Sequence, residues 1–212
     1  MTTRAEKALA NRRRMVRAAY DRFCENGYTG TTIADVAADA GVAVPTVYYT
    51  FKTKAALLGE ALGAAIVGFD LWREPPPEFD TDTLLPWHTW WEDFLAAPTS
   101  AAALEICLAN GVEILRRVAP LWPAVQGSLG DPESAAHVAA SLQGRYDSYT
   151  EFVNVIADKP PGLKKGVSRR TAADIMDALF GGDVYRNLAD RGWSHARISR
   201  FLQHLLAGEL LG

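Results

Sequence analysis

Apolar residues recur at intervals of three and four along almost the whole chain, which is the spacing that gathers them on one face of a helix. No alternating apolar–polar run suited to a half-buried strand interrupts that pattern, so the expected fold class is all-α. The first helix is expected over about 4–26, with Met15, Ala19 and Phe23 as its stripe and Val16 and Tyr20 beside it. Gly27 ends it, because glycine enters the left-handed region at a helix C-terminus without steric cost, and Gly30 follows in a short turn. Thr31 or Thr32 caps a second helix by accepting an orphan N–H, and that helix buries Ile33, Val36, Ala37 and Ala40 before Gly41 stops it. The third helix is short, with Val44, Val47, Tyr48 and Phe51 on one side and Pro45 tolerated in its first turn. Thr53 caps a fourth, expected over about 54–72, with Leu58, Leu62, Ile66 and Phe69 along it.

Pro75, Pro76 and Pro77 then break the chain. Later helices are expected near 81–96, 99–118, 132–157, 168–191 and 194–210, separated by Pro98, Pro120, Pro123, Pro132 and the Pro160–Pro161–Gly162 run. The last two carry wide stripes. One has Ala172, Ile175, Met176, Leu179, Phe180, Val184, Tyr185 and Leu188; the other has Ile198, Phe201, Leu202, Leu205, Leu206, Leu210 and Leu211. Such width exceeds what a single core contact requires. These are either central helices of a monomer or helices that bury one flank in the core and the other in a partner subunit, and the second reading is favoured.

Residues 32–51 have the internal logic of a helix-turn-helix. Ala37 is small where two helices cross closely, Gly41 supplies the turn four residues later, and Val36, Val42 and Val47 form the wedge that sets the crossing. Thr46, Tyr49 and Thr50 lie opposite the buried side of the third helix, where an ordinary core hairpin would not display them. With the motif in place, the pattern Phe23-x-x-x-Gly27-Tyr28-x-x-Thr31-Thr32-x-x-x-x-Ala37-x-x-x-Gly41-Val42, continued by Val47-Tyr48-Tyr49-x-Phe51-x-x-Lys54-x-x-Leu57-Leu58, resembles the N-terminal domain of the TetR family of bacterial regulators. The resemblance covers about the first third of the chain. Beyond it, only the helical pattern, the length and the wide final stripes are similar. Thr50 departs from the His that often precedes the Phe in that family, and Pro45 is a second departure; both bear on operator preference rather than fold.

The resemblance implies a three-helix DNA-binding domain over 1–53 and a helical effector-binding and dimerisation domain over 54–212. The third helix would enter the major groove N-terminus first, which makes Val44, Pro45 and Thr46 the candidates for base edges. Tyr48, Tyr49 and Thr50 complete the DNA-facing set, with Tyr48 divided between packing and phosphate contact. Thr32 and Lys54, each at a helix start, suit phosphate anchors. Arg12, Arg13 and Arg14 are candidates for flanking backbone contacts or for a solvated face. Phe69, Trp72, Trp87, Trp90, Trp91, Phe94, Trp122, Tyr146 and Tyr149 are the candidate effector-site aromatics, since aromatic rings line apolar pockets at little entropic cost. They also fill ordinary cores.

Charge sharpens this picture through its distribution. The whole chain carries −3, which does not describe a nucleic-acid binder. Residues 1–54 carry nine Lys and Arg against five acids, hence +4, and the remaining residues carry −7. A basic head on an acidic body is the asymmetry expected when one part meets phosphate. Cys24 and Cys107 are not in a CxxC pair, the N-terminus shows no secretory pattern, and no apolar stretch approaches the roughly 18 residues of a membrane span. A reduced, cytoplasmic protein with no membrane partner is therefore expected. His88, His137, His195 and His204 lack metal-ligand spacing, and no phosphate-binding loop or nucleophile elbow is present, so neither a metal, a cofactor nor an enzymatic activity is expected. The expected function is a homodimeric, ligand-responsive DNA-binding regulator, a repressor that holds a palindromic double-stranded operator and is released by a small hydrophobic effector. The alternative is a helical small-molecule binding protein whose DNA-binding head is vestigial.

Overall fold

A computed structural model of the protein describes residues 3–72 and 85–211, with the side chain of Trp87 excepted. The Pro75–Pro77 break and the first residues of the helix expected over 81–96 lie outside the described residues. Within them the secondary structure is helical, with no strand. The chain forms two compact units, one of residues 1–78 and 120–141 and the other of 79–119 and 142–212. The unit that holds the head thus extends past residue 53.

In the first unit, α1 (Arg4–Gly30) is capped by Thr3 and Glu6 in a reciprocal box that satisfies two terminal amides. Its regular part ends at Gly27, which adopts φ 68°, and one further turn follows. Thr31 and Thr32 then divide the work that the sequence left open between them. Thr32 is the cap of α2 (Ile33–Ala40) and accepts from the Asp35 amide, whereas Thr31 is buried and donates to the carbonyls of Arg22 and Gly27. The expected set Ile33, Val36, Ala37 and Ala40 is buried on α2. Gly41 turns the chain at φ 65°, and Val42 N–H reaches back to the Ala37 carbonyl, which closes the helix end. α3 (Val44–Phe51) and α4 (Lys54–Val67) follow, the second capped by Thr53 as expected. α1 packs on α2 and α4, and also on α7 (Trp122–Gly127), a short helix the periodicity did not mark.

Two boundaries differ from expectation here. α4 stops at Val67 instead of running to residue 72, because Gly68 adopts φ 108° and turns the chain. Its burial is also broader than one stripe: Ala55, Leu57, Leu58, Ala61, Leu62, Gly63, Ala64, Ala65 and Val67 are all buried, together with Glu60. A helix this rich in small apolar residues can be covered on every side.

The second unit contains α5 (Trp91–Ala96), α6 (Ser100–Val118), α9 (Arg169–Leu179), α10 (Gly182–Ala189) and α11 (His195–Leu210). α8 (Pro132–Asp158) contributes its first residues to the first unit and the rest to the second. α6 packs on α5, α10 and α11, and α11 also on α9 and α10. The helix expected over 168–191 is two helices, broken at Phe180–Gly181, where Gly181 extends to φ −118° and ψ 158° as the cap of α10. The core is Leu104, Leu108, Val112, Phe152, Ile156, Met176, Phe180, Ile198, Leu202, Leu206 and their neighbours. Gly111 lets the edge of the Phe180 ring approach α6 closely, since a Cβ there would sit 2.4 Å from the ring. None of the described helices is long and apolar enough to cross a membrane.

Candidate nucleic-acid interface

Eight residues of α3 present one narrow buried stripe, Val47 and Phe51, to the rest of the unit. Val44, Pro45, Tyr48 and Tyr49 are the residues of α3 left uncovered. All four are exposed, Val44 by 37%, Tyr48 by 50% and Tyr49 by 80%. Val44 and Tyr48, which the sequence spacing placed on one side with Val47 and Phe51, are therefore not covered as those two are. α3 meets α2 and α4 along too thin a contact to cover a third residue per turn. Thr46 and Thr50 are half-buried on the flank, and the Thr50 hydroxyl donates to the Thr46 carbonyl at 2.8 Å.

The two proposed phosphate anchors are positioned differently. Thr32 is exposed at the start of α2, with its hydroxyl donating to Asp35 Oδ2 at 2.6 Å. Lys54 is half-buried. Its ammonium donates to the carbonyls of Tyr28 at 2.9 Å and Thr31 at 3.2 Å, and lies 4.2 Å from the Tyr28 ring centroid. It closes the end of α1, a task that spacing along the chain does not reveal. Lys52, to which the sequence gave no role, is exposed just after α3. Its backbone takes φ 66°, and its ammonium donates to the Tyr49 carbonyl at 2.8 Å and lies 4.9 Å from the Tyr49 ring.

The arginine run of α1 also separates. Arg12 grips buried Glu60 through both carboxylate oxygens, at 2.6 and 2.7 Å, and lies over the Phe51 ring. Arg13 Nε donates to the Trp72 carbonyl at 2.8 Å. Only Arg14 is exposed, bonded locally to Asn11. Two of the three arginines are thus spent on holding the unit together.

The candidate effector-site aromatics fall in both units. In the first, Phe69 meets Tyr20 edge-on at 4.9 Å and lies beneath the Arg17 guanidinium. Trp72 is buried, its indole N–H donates to Glu60 Oε1 at 3.1 Å, and its ring occupies the space that Gly63 leaves open. Trp122 is half-buried, with an indole N–H that has no partner among the described residues. In the second, Trp90, Trp91, Phe94 and Phe152 form one cluster with ring centroids 5.3 to 6.2 Å apart. Phe94 is fully buried, while Trp90 and Trp91 retain partial exposure. Tyr149 is buried and donates to the Phe180 carbonyl, and Tyr146 donates to Asp174 at 2.8 Å. Burial pushes the Tyr149 phenol above its ordinary range. The side chain of Trp87 lies outside the description.

A helix pair joined by a left-handed glycine, presenting an uncovered helix face on a positively charged segment, defines an all-α protein with a helix-turn-helix head. Residues 16–61, within the helix-turn-helix head, match the model of the bacterial regulatory proteins of the tetR family. No curated protein sequence matches. Among solved structures, the fold is similar to the fatty acid degradation regulator FadR from Bacillus halodurans, at 17% identity and TM-score 0.69 over 93% of this chain and 95% of that one. It is similar also to the transcriptional regulator FadR from Bacillus subtilis, solved in complex with stearoyl-CoA, at 18% identity and TM-score 0.61 over 91% and 96%. A third is NalD, the secondary repressor of the MexAB-OprM multidrug efflux pump in Pseudomonas aeruginosa, at 18% identity and TM-score 0.61 over 94% and 96%.

Proposed function

We propose that the chain is a regulator of the TetR family, a homodimeric repressor that holds a near-palindromic operator and leaves it when a small hydrophobic effector binds. The observation that carries the reading is the uncovered outer face of α3, Val44, Pro45, Tyr48 and Tyr49, set behind the Gly41 turn on a head of charge +4. Exposed apolar surface of this kind marks a binding face, and the charge identifies the partner as a polyanion. Thr46 and Thr50 edge the contact, and Thr32 with the first amides of α2 takes a phosphate. Lys52 is the cation nearest the reading face, while Lys54 acts through the end of α1 more than through direct contact.

Dimerisation through the last helices has support in their packing. On α11, Ile198, Leu202, Leu206 and Leu210 are buried, while Phe201 and Leu205 on the adjacent flank keep exposure that a partner subunit would remove. On α9, Ile175 and Leu179 stand in the same relation to Met176. The effector belongs to the part of the chain after residue 53, and half-buried Trp90 and Trp91 are its best contacts, because packing already holds each ring in place while its remaining exposed surface is left for an apolar ligand to bury. The effector acts by binding the low-DNA-affinity state more tightly than the other.

Selection of duplexes from a random pool by the full chain tests the reading. It should yield two inverted half-sites about one helical turn apart, with binding by a species of twice the chain's mass. A pool that stays random would refute it. A dye-displacement screen with acyl chains and aromatic hydrocarbons then tests the effector class, and a hit must also release the selected duplex.

A further inference from the structure

The composition of α3 restricts how it can read a base sequence. Its residues, Val-Pro-Thr-Val-Tyr-Tyr-Thr-Phe, include no Arg, Lys, Asn, Gln, Asp or Glu. Guanine is specified in the major groove by a bidentate Arg or Lys, and adenine by a bidentate Asn or Gln. Neither device exists on this helix. The Ala43 cap that leads into it adds no polar side chain either, and it too is exposed. Of the hydroxyls, that of Thr50 is half-buried and turned back to the Thr46 carbonyl, and Thr46 lies on the flank. What the outer face does present is aliphatic and aromatic carbon: Val44, Pro45 and the rings of Tyr48 and Tyr49, with one phenolic hydroxyl on each tyrosine.

One base carries an apolar group in the major groove, namely thymine with its 5-methyl. We infer that this protein reads its operator through thymine methyl groups, with Val44 and Pro45 making the contacts that set specificity and the phenols adding single hydrogen bonds. The inference rests on the DNA-binding reading above and deepens it by naming the chemistry that is recognised. It follows that T·A pairs, not G·C pairs, are the discriminated positions beneath α3. Each methyl so buried is worth about a fourfold change in affinity, the value of one buried methylene converted at room temperature. A pair contacted in both half-sites of a dimer is then worth about fifteenfold.

The experiment uses the full chain and a duplex selected from the random pool. Deoxyuridine, which differs from thymidine only by the methyl, replaces thymidine one position at a time, and affinity is read by fluorescence anisotropy at fixed salt. At one or more positions in each half-site, affinity should fall about fourfold. At those positions a 5-methylcytosine·guanine pair should bind more tightly than cytosine·guanine, because the methyl returns without the thymine oxygen. Val44→Ala, an exposed substitution whose folding is checked by thermal melting, should abolish the sensitivity to deoxyuridine at one position and leave the salt dependence unchanged. The inference is overturned if the selected duplex binds equally well with deoxyuridine throughout, or if its defining pairs under α3 are G·C. Failure of the underlying reading looks different: no sequence emerges from the pool, and the inference falls with it.

Discussion

Replacing Glu60 with leucine tests whether the arginine run of α1 is structural. Glu60 has 5% of its side chain exposed and Arg12 18%. The carboxylate accepts Arg12 Nε at 2.6 Å and Arg12 Nη2 at 2.7 Å, and Oε1 also accepts the Trp72 indole N–H at 3.1 Å. Leucine fits the apolar surroundings but removes the carboxylate that the largely buried guanidinium grips. Removing one member of a buried pair costs about 3–5 kcal/mol. The partial exposure of Arg12 lets water reach it, which places the loss at the low end, about 3 kcal/mol. Loss of the indole N–H bond to Oε1 adds about 1 kcal/mol. Arg12→Met should cost about 3 kcal/mol by stranding the carboxylate instead. The double variant removes both charges and should lie within about 2 kcal/mol of the parent. The cycle therefore predicts strongly non-additive losses, measured by urea unfolding with far-ultraviolet circular dichroism. A Glu60→Leu loss below about 1 kcal/mol, the size of an exposed pair, or simple additivity, would refute the reasoning.

Three further outcomes follow from the same structure. Gly111→Ala should destabilise the protein by about 1–3 kcal/mol in thermal or urea unfolding, because the new Cβ would meet the buried Phe180 ring at 2.4 Å. His88 is held neutral: burial, then the Arg117 charge, pushes its pKa down to about 4. Its folded value lies below the unfolded one, so its contribution is present above about pH 6.5 and lost as pH falls towards 4, by at most about 3 kcal/mol. His88→Leu should flatten the stability profile over that window, and an unchanged slope would contradict the assignment. Lys54→Met should lower stability by about 1–2 kcal/mol through the lost bonds to the Tyr28 and Thr31 carbonyls. Its log–log salt slope for DNA binding should change by less than about one, the signature of a missing phosphate contact.

The head was legible in the sequence because its stops are chemical. Gly27 and Gly41 sit at positive φ, and Thr32 and Thr53 are caps, so each boundary has a residue that demands it. The end of α4 was not, since Ile66 and Phe69 prolong the apolar spacing across Gly68 and only the backbone shows the turn. The same holds for Gly181 within the run expected as one helix. The exposure of Val44 and Tyr48 was not legible, because periodicity gives the order of residues around a helix, whereas the width of the covered stripe depends on neighbours. The arginines illustrate a longer range. Arg12 meets Glu60 across 48 positions and Arg13 meets Trp72 across 59, distances at which local spacing carries no information. The aromatic residues between 69 and 94 read as one group in the chain, yet Phe69 and Trp72 pack in one compact unit and Trp90, Trp91 and Phe94 in the other.

The central claim is that the outer face of α3 recognises specific double-stranded DNA. It is tested most directly by the affinity of the full chain for its pool-selected duplex and for a scrambled duplex of equal length, across 50–200 mM salt. The account predicts at least a thousandfold preference for the selected sequence, with affinity for both falling linearly in log–log form by a slope of about five or more. It predicts also that Tyr48→Ala with Tyr49→Ala narrows the preference while leaving the slope close to the parent's. Equal affinity for the two duplexes, or binding that does not weaken with salt, would contradict it.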